Sequence, residues 1–349
     1  MPQTPPIRVA VIGAGAFGRN HARVYHELQR QGEVVLTGVA DTDAKRAHAV
    51  AAEFDTRAFS SLEQLLDTTH LEAASVAVPT VAHLDVARQL MQAGVDTLIE
   101  KPLAPSLDQA DEIIRLAHTH KRIAQVGHLE RFNPAVRATV PLITRPMFFE
   151  VHRLSVFTPR ALDVDVVLDL MIHDLDIVLS LVRSPVKEVR AVGLPILSNK
   201  VDIANVRMEF ESGCVANFTA SRVSTERVRK LRFFQPHQYI SIDYTRQDVL
   251  VFTVDAAGAA MQALAKGAGL LPTADALAGL IKPAKPPVEP EEPLRAELRS
   301  FLDAVRHRTL PLVTLDDGRR ALAVALDVLA AIAQHSRRVR LDTMWAPGR

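Results

Sequence analysis

Apolar and polar positions change rhythm part-way along the chain. From Ile7 onward, short and almost wholly apolar runs alternate with stretches whose apolar residues recur at helical spacing. The runs predict strands at 7–12, 34–40, 74–78, 95–99 and 123–126, with helices between them. Strands that are apolar on both faces predict a parallel sheet covered by helices on both sides. Two helices carry readable starts. Ser60 with Glu63 and Ser106 with Gln109 have the spacing of capping pairs, in which each side chain satisfies an orphan backbone N–H. Gly94 punctuates the end of the helix that begins near Val81. This α/β domain is expected to end near Val126, giving domains 1–126 and 127–349.

Beyond it the period shortens to two. Segments 146–154, 186–194, 202–210, 214–221, 231–234, 239–244 and 249–254 predict successive strands, several alternating apolar and polar as in Val206-Arg207-Met208-Glu209-Phe210. Glu211-Ser212-Gly213 is a hairpin-like turn. The pattern predicts an α+β domain on a large, mostly antiparallel open sheet with flanking helices. A strongly apolar helix at 166–182 interrupts it. Residues 256–281 are rich in Ala, Gly and Leu and predict a loosely packed helical insertion. Pro-rich 282–293 predicts an extended linker, and 297–306 and 316–334 predict helices able to pack back on the first domain.

A length of 349 residues fits two domains. With 41 basic and 40 acidic side chains the net charge is +1, which leaves no electrostatic footprint for nucleic acid or an anionic membrane. The single cysteine, Cys214, excludes an internal disulfide and a cysteine-built zinc site, and reads as a quiet thiol in or near a strand. There is no signal-peptide pattern and no apolar run long enough to span a bilayer, so a soluble cytoplasmic protein is expected.

The first strand runs into Gly13-Ala14-Gly15-Ala16-Phe17-Gly18 and then a helix-compatible stretch. This is the dinucleotide-binding turn in its proper setting. Gly13 allows the tight turn, Gly15 admits a pyrophosphate to the backbone, and Gly18 lets helix lie close on strand. The second strand ends in Asp41, 23 residues after Gly18, where a carboxylate accepts from ribose hydroxyls and repels a 2′-phosphate. NAD is therefore expected rather than NADP, although Lys45 and Arg46 lie close by.

In the apolar helix at 166–182, Asp169, His173 and Asp176 fall at i, i+4 and i+7, one stripe on an otherwise buried surface. Ionisable groups are costly to bury unless paired or used. The stripe reads either as a stabilising Asp–His pair or as the lining of a cavity. Metal ligation has the right spacing but no second cluster of donors, so no metal is expected. Glu100-Lys101-Pro102 follows the fourth strand of the parallel sheet, at the edge where such folds bind ligands. Lys101 can donate to a substrate oxygen, or it can be half of a surface ion pair. Pro79, Thr80 and His83 stand at the end of the third strand, where a coenzyme ribose would pass.

Taken together, the glycine turn, Val78-Pro79-Thr80 with His83, Glu100-Lys101-Pro102 and Asp169-x-x-x-His173 resemble the glucose–fructose oxidoreductase/inositol dehydrogenase (Gfo/Idh/MocA) family. The resemblance implies that Lys101, Asp169 and His173 are the catalytic group. It also implies a coenzyme, NAD, held by Gly13, Gly15, Ala16, Phe17, Gly18, Asp41, Pro79, Thr80, His83, Glu100 and Lys101. The run from Gly127 to Pro134 and that from His152 through Arg160 into the apolar helix resemble the branch that oxidises the C3 hydroxyl of UDP-N-acetylglucosamine. That branch implies a ketone product aminated by a PLP-dependent aminotransferase, on the way to lipid A or surface glycans. Arg131, Asn133, Arg153, Arg160 and Asp176 would then contact the nucleotide-sugar, the arginines its phosphates; ordinary surface charge is the alternative for each arginine. Other readings are an inositol or simple-sugar dehydrogenase, an NAD-dependent glycosidase, and a non-catalytic sugar- or NAD-sensing regulator. The open sheet face suggests a homodimer or homotetramer.

Overall fold

The computed structural model describes residues 5–157, 164–254 and 281–340. They form two compact units. One runs to Phe132 and resumes over Glu291–Ala323; the other takes Asn133–Pro290 and resumes at Val324.

In the first unit, β1 (Ile7–Ile12), α1 (Ala16–Arg30), β2 (Val34–Ala40), α2 (Ala44–Glu53), β3 (Ala58–Phe59), α3 (Leu62–Thr68), β4 (Ala73–Val76), α4 (His83–Gln92), β5 (Asp96–Glu100), α5 (Leu107–His120) and β6 (Ala124–Gly127) follow in order. The strands make one parallel sheet in the order β3-β2-β1-β4-β5-β6. Strand order reverses between β1 and β4, which opens a crevice at their C-terminal ends. The apolar strand residues are buried because helices cover both faces, as in Val9, Ala10 and Val11. The two-residue strand β3 was not legible, being too short for a period.

The capping expectation needs one correction. α3 is capped by Ser61, not Ser60: the Ser61 hydroxyl accepts from Gln64 N at 3.1 Å, while the Gln64 side chain accepts from Ser60 N at 3.2 Å. The box is shifted by one residue because the helix starts one residue later than the Ser–Glu spacing implied. Ser106 caps α5 as expected.

The first unit also extends past Val126. Leu129 packs on its core and Phe132 is buried. Helix α8 (Pro293–His307) returns to it and inserts Leu294, Leu298, Phe301, Leu302 and Val305 beside Val24, Tyr25 and Leu28 of α1. Each such side chain contributes about 1.5–3 kcal/mol. Helix α9 (Leu315–Val339) ends the described chain.

The second unit holds α6 (Pro134–Thr139), β7 (Phe148–Val156), α7 (Ile172–Leu181), β8 (Val186–Leu194), β9 (Ile203–Phe210), β10 (Val215–Ser224), β11 (Val228–Gln235), β12 (Gln238–Asp243), β13 (Asp248–Val254) and β14 (Ile281–Ala284). Its eight strands run β14-β13-β12-β11-β7-β10-β9-β8, antiparallel except where β10 lies parallel to β7. The first residues of the expected Pro-rich linker are in fact strand: Lys282, Pro283 and Ala284 pair with β13. An edge strand tolerates a proline, since one of its sides has no ladder partner. The Ala-rich stretch lies almost wholly outside the described residues. Cys214, just before β10, is buried, and burial pushes its thiol up to about 11, so it stays protonated.

The helix expected at 166–182 is divided. Val167–Met171 is one π turn, in which Ile172 N–H donates to Val167 O, five residues back; the α-helix proper begins at Ile172. Apolar spacing does not reveal one extra residue in a turn.

Gly18 is the most constrained glycine of the coenzyme turn. A Cβ there would stand 1.8 Å from the Gly13 carbonyl oxygen, whereas at Gly15 nothing lies within 4 Å. Gly18→Ala is expected to lower stability by about 3 kcal/mol in urea denaturation, the top of the overpacking range. Gly15→Ala should leave the midpoint nearly unchanged and weaken coenzyme binding instead.

Candidate active site

The crevice at the C-terminal ends of β1 and β4 encloses a cavity of about 770 Å³. Gly13, Gly15, Ala16, Phe17, Asp41, Pro79 and Gln89 are among the residues that line it. Helices α2, α3 and α5 each carry a side-chain cap, but α1 starts at Gly15 with none. Its first N–H groups are thus left to an outside acceptor, and the open space above Gly15 admits one. The cradle fits a pyrophosphate.

Asp41 stands at the rim. One carboxylate oxygen accepts from Ala14 N at 2.7 Å; the other accepts from Asp43 N at 2.8 Å and from the Arg46 guanidinium at 3.0 Å. Burial alone would raise its pKa. The two backbone donors and Arg46 outweigh burial and hold it below the ordinary value of 3.8. Its stabilising contribution is therefore complete above that ordinary value and is lost as pH falls through the lower, folded-state value. Asp41→Ala is expected to weaken NADH binding about thirtyfold, the loss of about 2 kcal/mol of charge-assisted hydrogen bonding, in a fluorescence titration. Arg46 remains in that variant, so NADPH binding should not fall in parallel.

Thr80 opens the short 3₁₀ turn before α4, and Pro79 precedes it. His83, expected beside the coenzyme ribose, is set back from the surface. It does not line the cavity; it is buried, its ring nitrogens 3.0 Å from Val78 O and 3.2 Å from Leu103 O. Burial holds its pKa below the usual histidine value. The ring ties the end of β4 to the loop after β5, and reaches the cavity only through Val78, which lines it.

Glu100 is the last residue of β5 and is buried. Its carboxylate lies 2.9 Å from His21 Nε2 of α1. Gly127 makes room for it, since a Cβ there would come within 2.9 Å of Glu100 Oε1. Lys101, half-buried, follows directly, with a cis bond to Pro102. His21 was missed at the sequence level. Its signal was a lone histidine on the buried side of α1, which a reading by spacing takes for core.

In the second unit, Asp169 lies inside the π turn and His173 is the second residue of α7; both are half-buried, while Asp176 is buried. The neighbouring Asp174 faces a partner of its own. Arg153 on β7 grips it with two bonds, Nε to Oδ2 at 2.6 Å and Nη2 to Oδ1 at 2.9 Å, the side chains 4% and 2% exposed. The same guanidinium stacks 5.1 Å from the Tyr244 ring centre. Arg153 was expected at substrate phosphates; its guanidinium is buried against Asp174. Asn133, also expected at substrate, caps α6 through Ala135 N at 3.1 Å and donates to Tyr244 O at 3.0 Å. Arg131, in the first unit, lies 3.6 Å from Asp317. Arg160 is outside the described residues.

Residues 7–128 match the oxidoreductase family with an NAD-binding Rossmann fold, and residues 145–240 match the Gfo/Idh/MocA C-terminal domain. The chain is 36% identical over 331 residues to the UDP-N-acetylglucosamine 3-dehydrogenase of Acidithiobacillus ferrooxidans, a match covering 93% of this chain and 97% of that protein.

The chain belongs to the Gfo/Idh/MocA family.

A solved structure of that Acidithiobacillus enzyme superposes with a TM-score of 0.82 at 34% identity, covering 94% of this chain and 98% of the other. The inositol 2-dehydrogenase of Leifsonia xyli is 33% identical over 54% of this chain. As a Gfo/Idh/MocA member the chain is an NAD-binding oxidoreductase, and the cavity at β1 and β4 has the shape and open N–H groups such a coenzyme needs. Among the described residues no helix is long and apolar enough to cross a membrane, and no group of three His, Cys, Asp or Glu side chains could hold a metal ion.

Proposed function

We propose that the chain oxidises the C3 hydroxyl of UDP-N-acetylglucosamine to a ketone, with NAD⁺ as the acceptor. The extent of the likeness carries this reading. The Acidithiobacillus 3-dehydrogenase matches along 93% of the chain, both units included, while the Leifsonia inositol dehydrogenase matches along 54%. The cavity residues Gly13, Gly15, Ala16, Phe17 and Pro79 hold the coenzyme, with Asp41 on the adenosine ribose and Gly18 and His83 packed behind them. NAD⁺ held by these residues would supply the hydride acceptor. His173 takes the hydroxyl proton on a ring nitrogen. Asp169 favours the imidazolium so formed, and Lys101 donates to the reacting oxygen as negative charge develops there. Arg131 and Arg160 serve the diphosphate as fork donors. The ketone suits a PLP-dependent aminotransferase as the next enzyme, and the diamino sugar suits lipid A or surface glycans.

The chain acts as a homo-oligomer through its second unit. Phe148, Phe234, Tyr239 and Phe252 stand opposite one another across four neighbouring strands, their rings 5.0–5.7 Å apart. Phe234 is 38% exposed, so the row borders solvent in a single chain.

Purified protein with NAD⁺ decides the substrate when UDP-N-acetylglucosamine, myo-inositol and glucose are offered in turn. NADH and a ketone of the nucleotide-sugar by mass spectrometry are expected, with a coupled aminotransferase to draw an unfavourable equilibrium forward. Turnover of myo-inositol or glucose alone would overturn the assignment. Free sugar without net NADH would point to a glycosidase, and coenzyme binding without any turnover to a sensor.

A further inference from the structure

Helix α1 serves the coenzyme with its first turn, but its second turn does something else. His21 is fully buried, and its Nε2 lies 2.9 Å from Glu100 Oε1. Its other ring nitrogen, Nδ1, is shielded from solvent and has no hydrogen-bond partner among the described residues. A proton on Nδ1 would be a buried donor with nothing to bond, which is costly. Nε2 is the ring nitrogen that has a partner, so its N–H is the one placed to donate to Glu100 Oε1. Gly127 leaves the carboxylate its space, since a Cβ there would come within 2.9 Å of Glu100 Oε1. Phe17, which lines the coenzyme cavity, has its ring 6.4 Å from the His21 ring. One helix thus joins the phosphate-binding turn to the residue directly before Lys101.

We propose that His21 is a positioning residue: by donating to Glu100 it fixes the end of β5, and so sets Lys101 in register with the coenzyme bound at the start of α1. The reaction role of Lys101 rests on the function proposed above; the coupling of His21 to Lys101 does not. Loss of the bond frees Glu100 within its slot and lets Lys101 drift, and a misplacement of about 1 Å costs about a hundredfold in rate. Coenzyme affinity, set by the turn and Asp41, stays as it was.

The test compares wild type, His21→Leu and His21→Gln. The glutamine amide can still donate to Glu100; leucine cannot. Two readouts are taken on protein shown by thermal melting to be folded and saturated with NAD⁺: kcat and KM with UDP-N-acetylglucosamine, and the rate at which an acylating reagent labels Lys101, followed by mass spectrometry. Expected for His21→Leu is a kcat about a hundredfold lower, an unchanged NAD⁺ dissociation constant, and an altered Lys101 labelling rate. His21→Gln should restore most of both. Equal Lys101 labelling in wild type and His21→Leu overturns the proposal, as does a glutamine variant no better than leucine. A wild type that turns over none of the sugars sinks the proposed function instead, and labelling still decides the role of His21.

Discussion

Replacing His173 by alanine is expected to lower kcat by about 10²–10⁴-fold, the range for removing a general base, with NAD⁺ binding unchanged. His173 lies in the second unit and the coenzyme cavity in the first, so the substitution removes no residue lining that cavity. Lys101→Met should cost about 10²–10³-fold, the range for losing one donor to a developing oxyanion. Rapid-mixing kinetics with saturating NAD⁺ checks both, and a fluorescence titration checks that coenzyme still binds. The competing account makes Asp169 and His173 a helix-stabilising pair worth a few tenths of a kcal/mol. On that account His173→Ala shifts the melting temperature slightly and leaves kcat alone. The two outcomes differ by orders of magnitude in one assay.

Arg153→Met is expected to destabilise the protein by about 3–5 kcal/mol. The substitution takes a two-pronged guanidinium away from a buried carboxylate. Urea denaturation measures the loss. The double variant Arg153→Met, Asp174→Leu should recover most of it, because a buried pair replaced by apolar side chains of similar volume is often neutral in stability. If Arg153 served substrate phosphates instead, the single variant would raise KM for the nucleotide-sugar and leave the denaturation midpoint in place.

Much of the lining of the cavity at β1 and β4 could be named from the chain because its parts are local. A glycine turn between a strand and a helix, and an acid at the end of the next strand, are set by neighbours in sequence and by backbone sterics. The structure puts Gly13, Gly15, Phe17 and Asp41 around one cavity. His83 was found for the same reason. It sits at the right place in the chain, but only burial and two distant carbonyls reveal that its ring points into the protein.

The second unit shows the opposite balance. Alternation located its strands to within a few residues, yet said nothing of their order or of the parallel pairing of β7 with β10. Arg153 and Asn133 looked like ligand contacts, since a polar side chain near a motif carries no mark of its partner. Asp174, 21 residues along the chain, and Tyr244, 111 residues from Asn133, supplied those partners.

What the amino-acid order determined by itself was the class of each half, the coenzyme turn and the set of chemical groups available, because periodicity and turn sterics act over a few residues. What only the tertiary structure decided was which of those groups are already bound to one another. The His21–Glu100 and Arg153–Asp174 pairs and the return of α8 to the first unit all depend on bringing remote residues into one dry interior. There an unpaired charge or polar group is too costly to leave alone, and that cost acts only once the chain has folded.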